Sequence, residues 1–166
     1  MPINFTPLIV SGIVLGMGMG AWIVDGVLLH QILQVHNMMS GWYYPDTLEK
    51  ARYNMFFDGL FHALTFFMTA SGLALLWLSM GEKAVPRSTR CLVGSMVMGF
   101  GLFNFIEGII DHQILGIHHV VELAEQPNKF YWDMAFLFFG GVLFIFVGYM
   151  EIAWAKEEIA RSTLSM

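Results

Sequence analysis

Two stretches of an otherwise apolar chain concentrate side chains that hold metals. Asp25–Asn37 reads DGVLLHQILQVHN, and Glu107–His119 reads EGIIDHQILGIHH. A shift of 82 positions superimposes Gly26, His30, Gln31, Ile32, Leu33 and His36 on Gly108, His112, Gln113, Ile114, Leu115 and His118. Asp25 becomes Glu107, so the acid, the glycine and both histidines keep their spacing. Imidazole combined with carboxylate suits iron, zinc or manganese, and helical bundles place such ligands on facing helices. Two further pairs have the right spacing. Asp58 and His62 lie four apart, on one helix face, and so do Glu107 and Asp111. With Asp133, the candidate metal ligands are Asp25, His30, His36, Asp58, His62, Glu107, Asp111, His112, His118 and Asp133.

The repeated motif does not suit a straight helix. Asp25 and His30 stand about 140° apart around an ideal α-helix, and His30 and His36 about 120°. Either two layers of ligands exist, or the helix is irregular near Gly116, or His36 and His118 sit in outer loops and fold back. Gly116 permits a break, whereas Gln34 at the matching place in the first copy gives no such hint.

Other chemistries compete with a metal site. His30 and His112 are related by the repeat and could supply both axial ligands of a b-type haem. Copper is a third candidate, because Met38 and Met39 follow His36 and thioethers suit Cu(I). A hydrogen-bonded ionic network that only fixes packing would use the same residues. No GxSxG elbow, Walker loop or HExxH is present. An enzyme would therefore use either redox chemistry at a mono- or dinuclear iron centre or zinc-activated water. A non-enzymatic alternative is an accessory or metal-handling subunit of a respiratory membrane complex.

The elements that must position these groups follow from hydropathy. The chain has 166 residues, is 57% hydrophobic and only 13% charged, whereas soluble domains carry about 25% charged residues. Four apolar blocks, roughly Leu8–Leu29, Phe56–Met80, Leu92–Ile110 and Phe130–Ala153, are each long enough to span a bilayer. The expected fold is all-α: one membrane domain over 1–166, an antiparallel four-helix bundle. Two helical hairpins build it, one over about 8–80 and one over about 90–155. DGLFHALTFF from Asp58 and DMAFLFFGG from Asp133 are weak echoes of each other. The hairpins share an orientation, so their symmetry axis lies along the membrane normal.

One ionisable residue from every span, Asp25, His62, Glu107 and Asp133, falls at roughly 25–28 Å from the other membrane face. Lysine and arginine set the orientation. Lys83, Arg87, Arg90, Lys156 and Arg161 fall on one side, and Lys50, Arg52 and Lys129 on the other. The positive-inside rule then puts both termini in the cytoplasm and the ionisable layer on the periplasmic or extracellular side of a bacterial inner membrane. No basic run points to nucleic acid. The lone Cys91 excludes an internal disulfide and a CxxC metal site. Gly12, Gly16 and Gly20, with Gly94, Gly99 and Gly101, have the spacing that lets membrane helices approach closely.

DGVLLHQILQVH and EGIIDHQILGIHH, with DGLFH between them and Trp132–Asp133 after them, resemble a family of small bacterial membrane proteins of unknown function. The resemblance spans roughly residues 8–155. It implies a four-span membrane protein and brings no activity with it.

Overall fold

A computed structural model describes residues 2–164. Four helices are long and apolar enough to cross a membrane: α1 (Thr6–Leu33), α2 (Leu48–Met80), α3 (Thr89–Leu115) and α4 (Asn128–Leu164). No strand occurs among the described residues. The all-helical membrane bundle expected from hydropathy is what forms. Each helix outruns the apolar block that marks it. Helix α2 begins two turns before Phe56, where the Thr47 hydroxyl accepts from the Lys50 amide at 3.3 Å and Glu49 occupies the positive first turn. Helix α3 starts in the same way, with the Ser88 hydroxyl accepting from the Cys91 amide.

The first helices of the two repeats form the central pair. Helix α1 packs against both α2 and α3, and α4 packs against α3. The outward faces are large and apolar: Phe67 and Trp77 on α2 and Phe146 on α4 are exposed. Such faces suit lipid rather than water. Between α1 and α3 there is almost no space. A methyl group added at Gly16 would run into the backbone of Met96, and one added at Gly99 into the backbone of Ile13. These glycines let the two helices touch at backbone level, where dispersion contacts replace the hydrophobic driving force that lipid removes.

The two membrane ends differ in character. At one end Leu8, Cys91, Ile152 and Ala155 form a small apolar cluster. Arg90 there bonds Glu151 at 2.7 Å and lies over the Trp154 ring. At the other end most of the buried side chains are polar: His30, His36, Asn54, Asp58, His118 and Asp133 are all nearly sealed from solvent.

The helices are irregular where the motif demands it. Ala21–Leu33 and Gly108–Leu115 are wound as π-helix, and so is Phe136–Val142 in α4. Hydrogen bonds from i to i+5 place residue i+5 over residue i. The five-residue step from Asp25 to His30, and from Glu107 to His112, therefore falls on one face. Both π-segments end in the same way. Gln34 (φ 51°) and Gly116 (φ 58°) take the left-handed conformation. The Val35 and Ile117 amides then reach back to the Leu29 and Asp111 carbonyls at 3.2 and 3.0 Å. The chain turns sharply there and carries His36 and His118 back under the bundle end. Gln34 does in the first copy what glycine does in the second.

Two outcomes test this packing. Gly99→Leu should cost about 1–3 kcal/mol through overpacking, read as a lower thermal midpoint in detergent. Gly116→Ala, where an added methyl meets nothing within 4 Å, should cost only the backbone term of about 1–2 kcal/mol. An unchanged midpoint in Gly99→Leu would contradict the close contact.

Candidate metal centre

The π-segment of α1 aims Asp25 and His30 inward, and the turn at Gln34 returns His36 to meet them. His30 Nε2 lies 3.6 Å from Asp25 Oδ2, and His36 Nε2 lies 3.4 Å from Asp25 Oδ1. Behind His30 stands α2, with Asp58 Oδ1 3.2 Å from His30 Nδ1. The second repeat rebuilds this arrangement. Glu107 Oε1 lies 2.9 Å from the Nε2 atoms of both His112 and His118, and Asp133 Oδ1 lies 3.4 Å from His112 Nδ1.

The repeats interlock through their outer loops. His36 Nδ1 donates to the Val120 carbonyl at 3.0 Å, and His118 Nδ1 donates to the Met38 carbonyl at 3.2 Å. Val120 and Met38 occupy matching places, so each copy anchors a histidine of the other. The two rings stack between the halves, with centroids 4.8 Å apart and planes 10° apart. His30 packs edge-on to His36 and His112 edge-on to His118. The Gly41 amide bonds the Ile117 carbonyl, and the Glu122 amide bonds the Val35 carbonyl, which ties the loops into one cover.

The supporting acids are themselves held symmetrically. Asp58 Oδ1 accepts from the Met38 amide, while its Oδ2 accepts from Asn37 and Gln31. Asp133 Oδ1 accepts from the Val120 amide, while its Oδ2 takes His119 and Gln113. Asn37 and His119, the unlike pair in the two motifs, thus do one job. Each supplies a side-chain nitrogen to the acid.

The donor pattern has a chemical consequence. A carbonyl only accepts, so Nδ1 of His36 and of His118 must carry a proton. In a neutral ring Nε2 is then a bare lone pair. Yet each Nε2 faces a carboxylate oxygen, another acceptor. A cation, either a proton or a metal ion, must lie between them. His30 and His112 sharpen the point. Among the described residues, both nitrogens of both rings are buried without a hydrogen-bond partner, as is Asp25 Oδ2. The 3.2 and 3.4 Å contacts to Asp58 and Asp133 are close but not aligned. No lysine or arginine among the described residues pairs with Asp25, Asp58, Glu107 or Asp133.

Of the residues singled out from sequence, His30, His36 and His118 come close enough to share one ion, and so do Glu107, His112 and His118. Asp25 adjoins the first group. Asp58 and Asp133 stand behind His30 and His112 rather than among the converging atoms. His62 is not in either group. It packs on Phe61 and Gly26 and borders a hollow shared with Gln31 and Asp58. Asp111 also stays apart, on the wall of a separate apolar hollow with Glu107. Sequence reasoning missed Gln31, Gln113 and Asn54. The glutamines recur in both copies, which was a usable signal. Asn54, which takes the Met39 amide and gives to the Tyr43 carbonyl at 2.6 Å, carried none.

The family model described as "Predicted membrane protein (DUF2243)" matches residues 11–154. The chain belongs to this family. Both motif copies, all of α2 and α3, and α4 as far as Trp154 lie inside the match. No curated protein and no solved structure matches the chain.

The held acids yield a stability prediction. Asp133→Ala removes the acceptor of several charge-assisted bonds and should cost about 3 kcal/mol or more. Asp46→Ala, which removes an exposed pair with Lys50, should cost less than about 1 kcal/mol. Equal thermal midpoints for the two variants would contradict the role given to Asp133.

Proposed function

We propose that this membrane protein holds two divalent transition-metal ions, iron or zinc, one in each repeat. Asp25, His30 and His36 would hold the first ion, and Glu107, His112 and His118 the second. The observation that carries this reading is the opposition of acceptors: the Nε2 atoms of His36 and His118 face carboxylate oxygens while their protons are committed to carbonyls. Ligands bound at about 2.0–2.2 Å in tetrahedral or octahedral array stand roughly 3.0–3.5 Å apart. The four nitrogen–oxygen separations, 2.9, 2.9, 3.4 and 3.6 Å, fall around that spacing.

Charge supports two ions rather than one. Four buried carboxylates match two divalent cations with neutral imidazoles. A purely ionic network of protonated histidines would neutralise the same acids. It would also leave the ring nitrogens of His30 and His112 in contacts too bent for hydrogen bonds, where hydrogen bonding should be best. Haem is disfavoured by the stacked His36–His118 pair, which takes up the space beside both His30 and His112.

Asp58 and Asp133 have the position of supporting carboxylates. Each lies beside Nδ1 of a ligand histidine, and a turn of that ring on metal binding would align Nδ1–H with the carboxylate and leave Nε2 free for the ion. Iron would bring redox chemistry to this centre, and zinc an activated water. The excess of lysine and arginine at the loop between α2 and α3 and at the C-terminal end supports a reading in which these ends lie in the cytoplasm of a bacterial inner membrane. The metal layer then faces the periplasmic or extracellular side.

Elemental analysis tests the reading. Protein purified in detergent and reloaded with Fe(II) or Zn(II) should retain about two equivalents per chain. A His36→Ala/His118→Ala double variant should lose them, and His62→Ala should keep them. Asp58→Asn should weaken affinity by about 10–100-fold. Chelation should lower the thermal midpoint of the wild type, because an ion bound only to the folded state stabilises it. Absence of metal from the reloaded wild type, with a midpoint indifferent to chelator, would refute the proposal.

A further inference from the structure

A hollow of about 200 Å³ opens beside the centre, lined by residues of α2 and α3 together with Met17 and Met38. Its walls include the rings of Phe61 and Phe103, 6.0 Å apart and inclined at 56°. Its mouth faces the bilayer. Leu64, Ile106 and Ile110 line it and are 57%, 48% and 43% exposed on membrane-spanning helices. Two acids break this apolar lining, Glu107 and Asp111.

Neither acid has its polar capacity filled. Glu107 is 93% buried (7% relative exposure), and its Oε2 has no hydrogen-bond partner. Oε1 is the atom turned to His112 and His118, so Oε2 is spare even with an ion present. Asp111 makes no side-chain hydrogen bond or ion pair among the described residues, although it lies within a membrane span. An ionisable group within a membrane span is costly, and such residues mark functional positions. The repeat gives a control. The place of Asp111 in the first copy is taken by Leu29, so the fold itself does not need an acid there.

We propose that this hollow binds the hydroxyl-bearing ring of a small phenol-class molecule drawn from the bilayer. The size fits one ring, since a cavity of about 150 Å³ accommodates benzene. Offset or edge-on contact with Phe61 and Phe103 suits an aromatic guest. The Asp111 carboxylate accepts the single proton of its hydroxyl, Glu107 borders the same space, and any alkyl tail leaves through the mouth into lipid. Phe61 also packs on His30, with centroids 5.6 Å apart, so the guest would rest one side chain away from the first repeat's histidines. The site adjoins the proposed metal centre through Glu107 but does not require the ion.

The test is equilibrium dialysis of 4-hexylphenol against the full chain in lipid nanodiscs, with empty nanodiscs as the partition blank. Hexylbenzene serves as the hydroxyl-free probe. The phenol should bind saturably at one site, about tenfold more tightly than hexylbenzene. Asp111→Leu, which copies the first repeat, should remove most of that preference. Ile106→Trp, a change at the lipid-exposed mouth, should abolish binding by filling the hollow. Equal binding of both probes, or phenol binding unaffected by Ile106→Trp, would overturn the proposal. Bound metal is measured in the same samples. Saturable phenol binding without metal upholds this site and removes the proposed ions; bound metal without phenol binding does the reverse.

Discussion

Asp25, Asp58, Glu107 and Asp133 bring four carboxylates into a buried layer whose surroundings are hydrocarbon. Removing one such charge from water costs several kcal/mol unless an opposite charge and hydrogen bonds replace the water. Among the described residues no lysine or arginine pairs with any of them; every close basic side chain is a histidine. The backbone is bent to bring those histidines in. Two π-segments and two left-handed turns are departures from the cheapest helix, and both place imidazole against carboxylate. The outer loops add the Met38 and Val120 amides to the supporting acids, and their carbonyls to His118 and His36.

This explains why the two repeats depend on each other. A single hairpin would supply two histidines and two acids, but Nδ1 of its outer histidine would have no acceptor. That acceptor comes from the other copy. The close backbone contact at Gly16 and Gly99 serves the same end at a distance. It fixes the separation of α1 and α3, and so the fit of the stacked His36 and His118 rings. The glycine contacts in one half and the buried histidines and acids in the other are linked through the same two helices.

Much of this was legible in the sequence, and the reasons are physical. Spans announce themselves by hydropathy because lipid leaves the backbone few alternatives to a helix. The duplicated acid-Gly-x-x-x-His-Gln-Ile-Leu-x-x-His named six of the residues that converge, because duplication preserves polar positions against an apolar background. The five-residue step from Asp25 to His30 was the hard part. On an α-helix it points away, and nothing local in VLLH announces a π-helix. The widened turn shows only in the folded chain, where it brings each acid beside its histidine. Gln34 hid the first helix end, since a non-glycine residue at positive φ carries little sequence signal. Asp58 and His62 read as a pair from their spacing, yet only Asp58 reaches the centre. Helical periodicity says that two residues share a face, not that both face inward.

The central claim is that metal ions, rather than protons, lie between the Nε2 atoms and the carboxylates. X-ray absorption spectroscopy on the reloaded wild-type protein addresses it directly. The account predicts a shell of nitrogen and oxygen at about 2.0–2.2 Å, with the outer-shell scattering of about two imidazoles per ion, and no sulfur. A first shell containing the sulfur of Met38, Met39 or Cys91, a porphyrin signature, or an aquo-ion spectrum without imidazole scattering would contradict it.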